Sequence, residues 1–161
     1  MFKLLKTLVL RGFVAACSPK LHPSPLTPQE VLQLVDDRTF QFKMEYVQPM
    51  GGRQRLITGS YTFRVNKDQL EADLPYIGRA FQAPIGSGEG GMKFTSKEFT
   101  YSSTIGKGNR REISIQPKDQ QDIAGINLII FENGNADLRI NSVNRQPISY
   151  TGNISRLPQP K

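Results

Sequence analysis

The chain has 161 residues, is 37% hydrophobic with nine Phe, five Tyr and no Trp, and carries a formal net charge of +7. That length allows one domain with a substantial core, and a single cysteine excludes a disulfide framework. The cations are scattered in small groups, at Arg53 and Arg55, at Lys107, Arg110 and Arg111, and at Arg139 and Arg145, whereas a nucleic-acid protein gathers them on one face.

At the start of the chain, Lys3 and Lys6 precede a short apolar run that ends in Val14-Ala15-Ala16, directly before Cys17. A basic stretch, a short apolar stretch and small residues at a cut site make a secretory signal. With Cys17 next, the arrangement resembles the lipobox of Gram-negative lipoproteins, in which the thiol is alkylated with diacylglycerol and the cysteine becomes the mature N-terminus. The apolar run is about half the ~20 residues of a membrane span, so cleavage is expected rather than insertion. Removing residues 1–16 also removes Lys3, Lys6 and Arg11 and lowers the formal charge from +7 to +4. The competing reading makes 1–16 an amphipathic helix and Cys17 an ordinary buried thiol. The expected division is a signal over 1–16, a lipidated Cys17 with a proline-rich tether over 17–26, a single domain over 27–157 and a tail over 158–161. Prolines at 19, 23 and 25 favour an extended spacer.

A helix is expected next, with Leu26 as a hydrophobic staple for Val31, Thr27 as N-cap, Pro28 at the first helical position and Glu30 completing a capping box. It should end near Asp36-Asp37. From Phe40 the period is two: Phe40, Phe42, Met44 and Tyr46 alternate with polar residues, as in a half-buried strand. Gly51-Gly52 turns the chain, Ile57 to Val65 continues the alternation across Gly59, and Asn66-Lys67-Asp68 reads as a tight turn into Leu70, Ala72 and Leu74. Further strands are expected at Met92 to Phe94, around Phe99 and Tyr101, at Ile113 and Ile115, from Ile126 to Phe131, at Leu138 and Ile140, and at Ile148 and Tyr150. Gly106 to Asn109 and Asn133-Gly134 are hairpin signals. Leu128 to Phe131 is apolar on both faces, so cover on both sides is expected. The pattern predicts a mainly β fold: an antiparallel meander forming a strongly curled sheet or incomplete barrel, with one short N-terminal helix packed across an opening or face.

The segment Leu74-Pro75-Tyr76-Ile77-Gly78-Arg79-Ala80-Phe81 resembles a family of small bacterial lipoproteins known as domain of unknown function 4251. Gly90 to Phe94, Gly134 to Leu138, Ser142 to Gln146 and Ile148 to Gly152 match the same pattern, so the resemblance covers about residues 28–156. It implies a modified Cys17, because members carry lipoprotein signals, and it implies no activity, cofactor or catalytic residue.

The stretch from Leu74 to Gly91 is the candidate site, since a loop of that length inside a compact domain is usually functional or disordered. Tyr76, Arg79 and Phe81 are the candidate binding residues. The competing reading is a structural plug, in which Tyr76 and Phe81 cover the open end of the sheet and Arg79 pairs with a carboxylate. The glycine run 86–91 is followed by a strand pattern rather than a helix, which excludes a dinucleotide loop. The one histidine, His22, lies in the tether, and Cys17 is expected to be acylated, so neither a nucleophile–histidine pair nor a zinc site can be assembled. No catalytic residue, metal site or cofactor is expected. Carboxylate pairs at Asp36 and Asp37, Glu71 and Asp73, and Asp119 and Asp122 read as turn or exposed-strand chemistry.

These features point to a lipid-anchored, non-catalytic binding module of the cell envelope, held at the outer membrane facing the periplasm, with an apolar ligand or envelope component as partner. A ligand could lie in the concavity of the sheet unless Phe42, Phe63 and Leu128 fill it. The alternatives are a structural or assembly lipoprotein, gripping a protein partner by an exposed sheet edge or by Tyr76 to Phe81, and a carboxylate-based hydrolase.

Overall fold

A computed structural model describes residues 25–81 and 91–159; the expected signal, Cys17, His22 and most of the glycine run lie outside the described residues. Helix α1 spans Pro28–Asp36 and begins as its capping residues dictate. The Glu30 amide donates to Thr27 Oγ1 at 3.3 Å, and the Thr27 amide donates to Glu30 Oε2 at 2.8 Å. The Thr27 amide, followed by its hydroxyl, holds the Glu30 carboxyl below the usual carboxylate range.

Ten strands follow: β1 (Thr39–Pro49), β2 (Arg55–Leu56), β3 (Thr62–Asn66), β4 (Gln69–Pro75), β5 (Gly91–Ser96), β6 (Phe99–Ile105), β7 (Arg111–Pro117), β8 (Ile123–Ile130), β9 (Asn135–Ser142) and β10 (Ile148–Arg156). All ladders are antiparallel, in the order β5-β4-β3-β1-β10-β9-β8-β7-β6, with β2 added to β1. Two meanders are thus joined by pairing β1 with β10. The alternation expected from Ile57 to Val65 is interrupted: β2 and β3 are separate strands, and Gly59, at φ 143°, breaks the extended run between them.

The connectivity itself requires the sheet to curl. In a flat sheet with strands ~4.8 Å apart, the nine strands of the path would put β5 and β6 about 38 Å from each other. Only Lys97 and Glu98 join them, and three chain steps reach about 10 Å. The result is a nearly closed, barrel-like antiparallel sheet. Asp119 fixes this corner, accepting from the Lys97 amide at 2.8 Å, the Glu98 amide at 3.3 Å and the Ser96 hydroxyl. These bonds, the Ser96 hydroxyl first, hold its carboxyl below the usual range.

Helix α1 lies across one end, where the ends of several strands converge. Val31 and Val35 are buried, the Tyr101 hydroxyl donates to the Val35 carbonyl at 3.2 Å, and the Arg38 guanidinium sits 4.8 Å from the Tyr101 ring centre. Arg111 pairs with Asp36 at 3.3 Å, and Arg156 pairs with Glu30. Burial, partly offset by Arg38, pushes the Tyr101 phenol up to about 12.

The inward face carries the core. Phe40, Phe42, Phe63, Leu128 and Tyr150 are each 0% exposed. Two expectations need correction. Alternation in β1 places Tyr46 inward, but the register shifts between Met44 and Tyr46, so that Val47 is buried and Tyr46 turns outward. Leu128 to Phe131 is not covered on both sides: Leu128 and Ile130 are buried, Ile129 is half-buried and Phe131 is exposed. Ile129 lies between Glu112 and Asp137 on the outer face, so neighbouring strands shelter it without a second layer.

Candidate functional site

The described part of the candidate loop is tied down by the turn that joins β9 to β10. The Tyr76 hydroxyl donates to the carbonyls of Arg79 at 2.9 Å and Gln146 at 3.2 Å, and its ring faces the Arg145 guanidinium, 5.1 Å from the centroid. The Gln146 amide donates to Arg79 O at 3.1 Å, the Phe81 amide donates to Asn144 O at 2.7 Å, and Ala80 bridges Arg145. Behind them, the Tyr150 hydroxyl donates to Pro75 O at 2.8 Å, and Arg145, only 8% exposed, donates to Gly91 O at 3.1 Å. Burial raises the phenol pKa of both Tyr76 and Tyr150.

Tyr76 is therefore a strut that closes the end of the sheet opposite α1. Arg79 and Phe81 do something different. Arg79 is held through its backbone, and among the described residues its guanidinium has no carboxylate partner. Phe81 is 67% exposed. Val143, in the clasping turn, and Met50, which follows the Pro49–Ile148 pair, are each 62% exposed. These apolar side chains are exposed singly, as is Arg79. Of the three residues expected to bind, Tyr76 is turned to the fold's own backbone, whereas Arg79 and Phe81 are exposed.

A second feature forms around the Asn133-Gly134 hairpin, which the sequence marks as a turn and not as a site. An open groove of about 600 Å³ lies on the outer face, where β1, β9 and β10 meet the turn between β8 and β9. Its walls include Glu45, Phe131, Glu132, Asn135, Asp137 and Thr151. Glu45, at the β1 bulge, is exposed, and pairing of Thr151 with Asp137 sets a hydroxyl beside a carboxylate. Asn153 Nδ2 donates to Glu45 Oε1 at 2.8 Å, while Asn109 donates to Glu132. Each amide holds one oxygen of its carboxylate. Among the described residues, none of the three carboxylates has a Lys or Arg partner. A groove so rich in acceptors, flanked by one aromatic ring, suits a ligand offering hydroxyl or amine donors.

Five of the six carboxylates named from sequence are otherwise engaged. Asp36 pairs with Arg111, Glu71 with Arg64 and Asp73 with Lys93; Asp119 fixes the β5–β6 corner, and Asp122 accepts from Ser142. Among the described residues there is no cluster of three or more metal-ligating side chains, and no helix is long and apolar enough to cross a membrane.

The chain is thus a small, nearly closed antiparallel β-barrel with a helix across one end. It belongs to the family described as domain of unknown function DUF4251, whose model matches residues 26–154. A crystal structure of a DUF4251 family protein from Bacteroides eggerthii DSM 20697 superposes with a TM-score of 0.59 at 16% identity, covering 80% of this chain and 87% of that one. That likeness establishes the fold. Among curated proteins, none matches the chain.

Proposed function

We propose that the protein is a non-catalytic, lipid-anchored module of the cell envelope that holds a hydroxyl- and amine-bearing envelope glycan in its outer groove. The carrying observation is the groove itself: about 600 Å³ of open volume walled by Glu45, Glu132 and Asp137 beside Asn135, Thr151 and Phe131. The expected apolar ligand within the sheet has no such support, because Phe42, Phe63 and Leu128, each 0% exposed, occupy that interior with the protein's own side chains.

The anchor in this reading is Cys17, acylated after loss of residues 1–16 and facing the periplasm from the outer membrane. Mass spectrometry of the protein from its host's membranes should find a mature N-terminus at Cys17 carrying acyl chains. A chain retaining Met1 and a free thiol would contradict it.

For the groove, calorimetric titration of the full chain with muropeptides, the soluble fragments of digested cell wall, should show saturable binding. Glu45→Ala and Asp137→Ala change exposed side chains and should leave the melting temperature within a degree or two, yet each removes a charged acceptor and should weaken binding about tenfold. Absence of binding, or binding indifferent to both substitutions, overturns the assignment; hydrolysis of the fragments overturns its non-catalytic part.

A further inference from the structure

We propose that β6 is a docking edge for a second copy of this chain, the two strands pairing antiparallel about a two-fold axis at Ser102. The sheet has two terminal strands, and they differ in how their edges are protected. On β5, the Gly91 carbonyl accepts from Arg145 Nη1 at 3.1 Å and the Thr95 carbonyl accepts from Gln120 Nε2 at 2.7 Å, with exposed Lys93 between them. Occupied carbonyls and an edge lysine discourage strand addition. Strand β6 carries neither device. Its sequence, FTYSSTI, has no charge, proline or glycine and is mostly aromatic or β-branched, which is the composition of a strand that accepts another.

The ladder shows which backbone groups of β6 are available. The Lys118 amide donates to Glu98 O and the Gly106 amide donates to Arg110 O, so these two cross-strand pairs are hydrogen-bonded ones. Bonded and non-bonded pairs alternate in an antiparallel ladder. Between those limits, Thr100, Ser102 and Thr104 bond to β7 opposite Gln116, Ser114 and Glu112. The amides and carbonyls of Phe99, Tyr101, Ser103 and Ile105 consequently point away from β7. Pro117, which has no amide, sits opposite Phe99, where the ladder requires none. Among the described residues, the outward groups have no backbone partner, and β6 has no neighbouring strand besides β7.

Pairing two copies about Ser102 matches this pattern. Phe99 falls opposite Ile105 of the second copy and Tyr101 opposite its Ser103, and symmetry repeats both pairs. These are the four outward-bonding positions, so with two bonds per pair the ladder gains about eight hydrogen bonds. On the outer face Thr100 meets Thr104 and Ser102 meets Ser102, and no like charges are opposed. Because FTYSSTI carries no charge and its edge has no protecting device, a second copy can pair there without opposing like charges, in the isologous geometry usual for homodimers.

The test is sedimentation of the full chain from micromolar to millimolar concentration, with hydrogen exchange followed residue by residue. The expected result is a monomer–dimer equilibrium in which the amides of Phe99, Tyr101, Ser103 and Ile105 exchange more slowly as dimer forms, while those of Thr100, Ser102 and Thr104 do not change. Ser102 is exposed, so Ser102→Lys should leave the monomer folded while opposing like charges and weakening the dimer about tenfold. Ser102→Glu should act equally, and a mixture of the two variants should restore association, which unfolding cannot imitate. A chain that stays monomeric, a dimer protected at other amides, or association insensitive to both substitutions overturns the proposal.

Discussion

Tyr150→Ala is expected to remove ~3–5 kcal/mol of stability, the range for deleting a large buried aromatic side chain. Tyr150 is 0% exposed, pairs with Val47 on one side and Leu138 on the other, and donates its hydroxyl to Pro75 O at 2.8 Å. It therefore serves two purposes: its ring fills the interior, and its hydroxyl holds the segment that leads into Tyr76 and the clasp with Gln146. Tyr150→Phe separates them. Losing only the hydroxyl leaves the Pro75 carbonyl without that partner, for about 1–2 kcal/mol, and should speed exchange of the Phe81 amide in the clasp. Urea denaturation with an unchanged slope reads both values. A Tyr150→Ala loss below about 1 kcal/mol would mean that the ring is not the packing element its burial indicates.

The second large effect is expected at Gly152, where the obstacle is backbone rather than side chain. Gly152 lies opposite Met44, at the edge of the β1 bulge, and a Cβ added there would overlap the Lys43 carbonyl oxygen. A carbonyl within a ladder cannot rotate aside as a side chain can. Gly152→Ala should therefore cost ~3 kcal/mol, the upper part of the range for overpacking, and should disturb the groove, since Gly152 and Glu45 both line it. Thermal denaturation together with the amide spectrum of β1 and β10 checks this. A variant that melts like the parent, with Tyr46 and Thr151 unmoved, would show that the two strands separate there without difficulty.

The parts of this fold governed by near neighbours were legible in the sequence. Leu26, Thr27, Pro28 and Glu30 announced α1 because capping is a contact between residues three or four apart. Alternation located most strands, and Lys67, at φ 45°, makes the expected turn between β3 and β4. The β1 bulge was partly hidden: Tyr46 continues the apolar phase that starts at Phe40, and only the neighbouring Val47 hints that the phase changes. Pairing of β1 with β10 leaves no local trace, since Gln41 and Ser155, which bond across it, are 114 residues apart. The same holds for the groove. Glu132 and Asp137 share the β8–β9 hairpin, but Glu45 and Thr151 come from separate segments and join them only through the ladder, and each residue is ordinary for a turn or exposed strand face. The loop from Leu74 was picked out by its length and aromatic content, but composition could not tell the Tyr76 strut from the exposed Phe81.

Binding on the outer surface of a filled barrel is tested most directly by recording the amide spectrum of the full chain during titration with muropeptides. The expected result is saturable shifts confined to the groove, at Glu45, Asn133, Asn135, Asp137 and Thr151, with the amides of Phe42, Phe63 and Leu128 unmoved. Shifts centred on those interior residues would mean that the barrel opens to admit a ligand, and would contradict the placement of the site on the outer face.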